Sequence, residues 1–115
     1  MNKYELDADL QNDRGLAERV RSLAPVVDEV LGSAGGDINV RWRLTKADPA
    51  RPFAVLNLCD WSFPWGVDRG FEPDELEDSR DFRRKVRSTL LALQMKQLQK
   101  GIAELQAMNF AEGTS

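Results

Sequence analysis

Apolar residues recur along this chain first at a helical period, then at a strand period, then at a helical period again, and the changes of period divide it into elements. Leu16, Val20, Leu23, Val27, Val30 and Leu31 step by three and four and share one helical face. Asn12 or Asp13 can cap the start of that helix, and Gly32 with Gly35 and Gly36 stops it. Pro25 lies inside the pattern and removes one amide donor, which predicts a bend near Ala24. From Ile38 the period becomes two. Ile38, Val40, Trp42 and Leu44 point one way and Asn39, Arg41, Arg43 and Thr45 the other, the pattern of a half-buried strand. Asp48-Pro49-Ala50-Arg51-Pro52 reads as a turn. The segment Phe53 to Trp61 is apolar on both faces, with Asn57 inside its longest apolar run. Such a strand is central in its sheet or covered on its second face. Val67 to Phe71 reads as a short third strand.

Helix resumes at Pro73, with Asp74, Glu75 and Glu77 near its positive end and Asp78 or Ser79 as a second cap. From there to about Met108 only Gly101 opposes helix. The fold class expected is α+β. It comprises an N-terminal helix, an antiparallel sheet of two or three strands built on a hairpin over 38–61, and a long C-terminal helix over about 79–108. Residues 13–108 form one domain, with flexible tails expected at 1–12 and 109–115.

The long helix carries two stripes. Phe82, Val86, Leu90 and Leu93 form one, and Leu91, Met95, Leu98, Ile102 and Leu105 form another with the 4-3-4-3 spacing of a heptad seam. A helix of about 30 residues is roughly 45 Å long, whereas a compact domain of this length is roughly 34 Å across. The second stripe therefore outruns the core, and Leu91, Met95, Leu98, Ile102 and Leu105 are the expected dimer or partner interface.

Composition narrows the chemistry. The chain has 115 residues, enough for one modest core. Its 42% of apolar residues and three Trp exclude a disordered polyelectrolyte. Cys59 is the single cysteine, so no intrachain disulfide is possible and a reducing, cytoplasmic setting is expected. The N-terminus has no apolar leader and no run approaches the ~18 residues of a membrane span, so no membrane association is expected. The chain lacks histidine altogether, which removes the commonest general base and most zinc sites. Cys59 on an apolar strand reads as a core residue. Glu72, Asp74, Glu75, Glu77, Asp78 and Asp81 read as a solvated helix start, with a divalent-ion site as the alternative. Gly32 to Gly36 lies between a helix and a strand, the reverse of a phosphate-binding loop. The sequence thus points to no catalytic, cofactor-binding or metal-ligating residue.

Two features remain. Arg83, Arg84 and Arg87 cluster on the long helix, and if their face meets that of Arg41 and Arg43 the five form a basic patch fit for phosphates. The net charge of −3 and the acids just upstream oppose nucleic-acid binding. Trp61, Phe63 and Trp65 alternate along one segment, and Trp65, between Pro64 and Gly66, is the expected exposed aromatic. The leading expectation is a non-catalytic protein–protein interaction module, homodimeric or partner-bound through its long helix. A nucleic-acid-binding domain and a small acidic chaperone are the alternatives.

Overall fold

The computed structural model describes the backbone of residues 3–32, 38–45, 53–60 and 63–113, and their side chains apart from those of 3, 63 and 109–113. Eight elements follow one another within these residues. They are β1 (Lys3–Leu6), α1 (Ala8–Asn12), α2 (Arg14–Ser22), α3 (Ala24–Leu31), β2 (Asn39–Thr45), β3 (Phe53–Asp60), β4 (Phe63–Phe71) and α4 (Ser79–Gly113). The strands form one sheet in the order β1-β2-β3-β4. β2, β3 and β4 are an antiparallel meander, and β1 lies parallel to β2.

The alternation along β2 sets the layering. Val40, Trp42 and Leu44 are buried, and β3 adds Ala54, Leu56 and Leu58 to the same face. Burying this face requires a second apolar layer, which the helices supply. α4 contributes Phe82, Val86, Leu90 and Leu93, and α2 and α3 contribute Val20, Val27 and Leu31. The Trp42 ring stacks on Phe82, with centroids 6.3 Å apart and planes 12° apart. Phe71 meets Trp42 at 5.7 Å and Phe82 at 5.3 Å. Lys85 Nζ sits 4.5 Å from the Phe71 ring centroid, and the same ammonium donates to Glu75 Oε2 and to the Gly70 carbonyl, each at 2.7 Å.

The structure is α+β with a long C-terminal helix, and it has four strands where two or three were expected. Residues 3–12 do not form the expected flexible tail. Tyr4 pairs with Val40 and Leu6 with Trp42. The Asp7 side chain accepts the Leu10 N–H at 2.9 Å and starts α1, and Leu10 is fully buried. The Tyr4 hydroxyl donates to Asp28 Oδ1 at 2.6 Å, which anchors β1 to α3. Burial first, then the Asp28 carboxylate, push the Tyr4 phenol above its ordinary pKa.

The helix expected over 13–31 is two helices. α2 ends at Ser22 and α3 restarts at Ala24 with Pro25 in its first turn, where a missing N–H costs nothing. The third strand begins at Phe63 rather than Val67. Pro64 is tolerated because β4 is an edge strand. Residues 73–77 are a turn rather than the start of a helix, and Asp78 caps α4 by accepting the Arg80 and Asp81 N–H groups. The α4 backbone continues to Gly113, past the expected end at 108 and through most of the expected tail over 109–115. At 35 residues α4 is about 52 Å long. The molecule extends 61 × 29 × 21 Å, with a radius of gyration of 16.9 Å against about 13 Å for a compact chain of this length.

Candidate functional site

The outer face of the distal half of α4 is the largest exposed apolar feature among the described residues. Leu91, Met95, Leu98, Ile102 and Leu105 are between 47 and 64% exposed. Met108 is also exposed, at 61%, and lies at the flank of the stripe, about 100° round the helix from Leu91. At about 100° per residue, Leu91 stands on the opposite side of the helix from Phe82, and Met95, Leu98, Ile102 and Leu105 stay within about 40° of Leu91. The stripe therefore faces away from the sheet even at Leu91, where neighbouring Leu90 and Leu93 are still buried beneath the helix. Lys96, Lys100 and Glu104 fall on the side that the core occupies in the first half. Gln97 still reaches the sheet, its side-chain amide donating to Asp60 Oδ2. Every described side chain from Leu98 to Met108 is exposed.

The positions flanking the stripe are Ala92, Gln94, Gln99, Gly101 and Gln106, all uncharged. A Cβ on Gly101 would meet nothing within 4 Å, so a second helix can approach closely there. Six side chains with roughly 100 Å² each open to water make about 600 Å² per chain, close to the ~800 Å² per partner of a standard interface.

The second candidate surface is the face of the sheet opposite the helices. Glu5, Arg41, Asn57 and Asp68 are successive cross-strand neighbours and form one polar row over all four strands. Arg41 Nε pairs with Glu5 Oε2 at 3.4 Å. Arg43 grips Asp68 with two N–H groups, at 3.2 and 3.0 Å. That pairing, with the Asn57 hydrogen bond, holds the Asp68 carboxyl below the usual carboxylate range against its partial burial. Asn57 is 8% exposed. Its Nδ2 donates to the Trp65 carbonyl at 2.9 Å and to Asp68 Oδ1 at 2.8 Å. Its Oδ1 is buried and has no hydrogen-bond partner, an arrangement that costs about 1–3 kcal/mol.

Gly66 makes this geometry possible. Its φ of 66° belongs to the left-handed region. A Cβ there would lie 2.3 Å from the Leu58 carbonyl oxygen and 2.7 Å from the Cys59 Cβ, so only glycine lets β4 approach β3 at this bulge. Trp65, one residue earlier, is 70% exposed. A concavity of about 400 Å³ is lined by Glu5, Arg41, Arg43, Asn57, Trp65 and Asp68, with Leu6, Asp7 and Trp42. Glu5, Asn57 and Asp68 were not singled out from the sequence; the one signal was a lone Asn in an apolar strand.

The five-arginine patch does not form. Trp42 faces α4, so Arg41 and Arg43 lie on the opposite face of the sheet from Arg83, Arg84 and Arg87. Arg83 donates to Glu29 Oε2 of α3 at 3.0 Å. Arg80, Arg83, Arg84 and Arg87 line a separate concavity of about 450 Å³ with Ser79. The upstream acids are dispersed. Asp78 caps α4, Glu75 holds Lys85 and the Glu72 N–H, and no group of three or more acidic or thiol side chains among the described residues is placed to hold a metal ion. Cys59 is buried, and burial pushes its thiol up although Arg41 opposes the shift. Trp61 lies outside the described residues, as does the Phe63 side chain. Among the described residues no helix is long and apolar enough to cross a membrane. Protein-family models, curated proteins and solved structures were compared with the chain, and none matches.

Proposed function

We propose that this protein is a non-catalytic association module that pairs with a second copy of itself through the outer face of distal α4. The observation that carries this reading is the reversal of the helix. Its apolar side chains change from the face turned to the sheet to the face turned away, beginning where Leu90 and Leu93 are still packed. Exposed apolar surface of this size marks an association site. The uncharged flanks favour a second copy, since a stripe edged by Ala, Gln and Gly meets its own image without like-charge repulsion. Antiparallel pairing about a two-fold axis lets the one surface serve both chains and closes the assembly at two.

Light scattering on a size-exclusion column tests this. At about 100 μM, well above a micromolar Kd, the expected mass is twice the 13.0 kDa chain. Leu98→Asp with Ile102→Asp is expected to give a folded monomer. A wild type that stays at 13.0 kDa at that concentration refutes the reading. The arginine concavity at the start of α4 supports a second reading, nucleic-acid binding, because Arg84 and Arg87 are exposed there. Submicromolar duplex binding that weakens with salt and is lost in Arg84→Ala with Arg87→Ala would put that reading first.

A further inference from the structure

The polar row on the open face of the sheet leaves two groups unused. Arg41 pairs with Glu5 across 3.4 Å at Nε, no hydrogen bond among the described residues uses its terminal N–H groups, and Asn57 Oδ1 is a buried acceptor without a donor. The two residues are direct cross-strand neighbours. The orientation of the Asn57 amide is fixed, since both partners of its nitrogen, the Trp65 carbonyl and Asp68 Oδ1, are acceptors. Its oxygen is therefore turned away from β4. The acids beside the site are engaged: Glu5 with Arg41, Asp68 with Arg43, and Asp7 with the Leu10 and Leu44 N–H groups. An anion would meet the carboxylates of Glu5, Asp7 and Asp68 and a cation would meet two guanidinium groups, so the lining suits a neutral molecule. Trp65 adds an exposed aromatic plane at the rim of the same concavity.

We propose that this concavity binds an uncharged planar heterocycle carrying an N–H beside a C=O, the lactam edge of a nucleobase, with the N–H donated to Asn57 Oδ1, the carbonyl received by Arg41 and the ring stacked on Trp65. A volume of about 400 Å³ suits a nucleoside. Oδ1 is buried, so binding requires neighbouring side chains to move; the Arg41–Glu5 ion pair is long and half exposed. The binding energy comes from supplying a donor to an acceptor that otherwise has none, and from stacking, which every base offers.

The test is a titration of the isotope-labelled full-length protein with uridine and guanosine, followed by the amide resonances of Asn57 Nδ2 and the indole resonance of Trp65. One of these nucleosides is expected to shift both sets with a Kd of about 1 mM or tighter. Its N-methylated counterpart, 3-methyluridine or 1-methylguanosine, keeps the ring but loses the N–H and is expected to bind at least about 10-fold more weakly. Arg41→Ala and Trp65→Ala, both at exposed positions, are each expected to weaken binding by about 10-fold while leaving the fold intact. Equal binding of the methylated form overturns the proposal. So does preference for a blocked dipeptide amide over both nucleosides, which would make the ligand a peptide. Silence toward every probe at about 10 mM also overturns it, and leaves a single water as the partner of Asn57.

Discussion

Between Phe82 and Leu93, α4 buries the side it turns to the sheet; between Leu91 and Leu105 it carries its apolar residues on the side turned away. Both stretches have the same helical period, and each alone reads as an amphipathic helix. They differ in phase by about half a turn. Drift between a 3.5 and a 3.6 repeat is only about 20° per heptad, so drift cannot produce this within a few residues. Period shows that a helix has an apolar face. Phase relative to the core shows whether that face belongs to the fold or to a partner.

The largest expected effect tests the inner face. Trp42→Ala removes the ring that stacks on Phe82 and should cost about 3–5 kcal/mol in urea unfolding. Leu98→Ala, measured at low protein concentration, should leave the midpoint where it was, because Leu98 is exposed in the single chain. Comparable losses from the two would mean that both faces serve the fold.

Next comes the tie between the first turns of α4 and the sheet edge. Lys85→Ala removes the contacts to Glu75, Gly70 and Phe71 and should cost about 1–2 kcal/mol near neutral pH. The Glu72 N–H first, and Lys85 second, hold the Glu75 carboxyl below its ordinary 4.5. A carboxyl lowered in the folded state stabilises fully above its unfolded pKa, and that contribution disappears as pH falls through the folded value. The difference between wild type and Lys85→Ala should therefore be full above about pH 5 and shrink below pH 4.5. A difference that grows in acid would show that the pair is not what Lys85 provides.

The smallest effect is expected at Arg83. Its pair with Glu29 joins two exposed side chains, and such pairs contribute little. Arg83→Ala should leave the thermal midpoint within measurement error at physiological salt. A clear drop would assign α3 and α4 a coupling beyond their shared apolar contact.

What could be read from residues alone follows the reach of each signal. The core faces of β2 and α4 were legible because Val40, Trp42, Leu44 and Phe82, Val86, Leu90, Leu93 each repeat within one element. β1 was not, because Tyr4 and Leu6 give only one period of alternation and the partners that stabilise them, Val40 and Trp42, lie far along the chain. The polar row was hidden for the same reason: its four members come from four strands, and only Asn57 looked out of place locally. The basic patch failed on parity. Once Trp42 faces α4, Arg41 and Arg43 cannot. The exposed position of Trp65 was legible from Pro64 and Gly66, while its link to Asn57 through its carbonyl was not.

Every described side chain of α4 beyond Gln97 is exposed. This stretch runs about 24 Å past Gln97, and an isolated helix of that length is marginal in water. If the proposed pairing holds, its helicity and its pairing are one equilibrium. Dilution should melt the helix from the tip, lowering far-ultraviolet ellipticity while the near-ultraviolet signal of buried Trp42 stays constant. The distal amides should exchange with solvent at a rate set by protein concentration, which makes the helix tip a gauge of how much of the protein is paired.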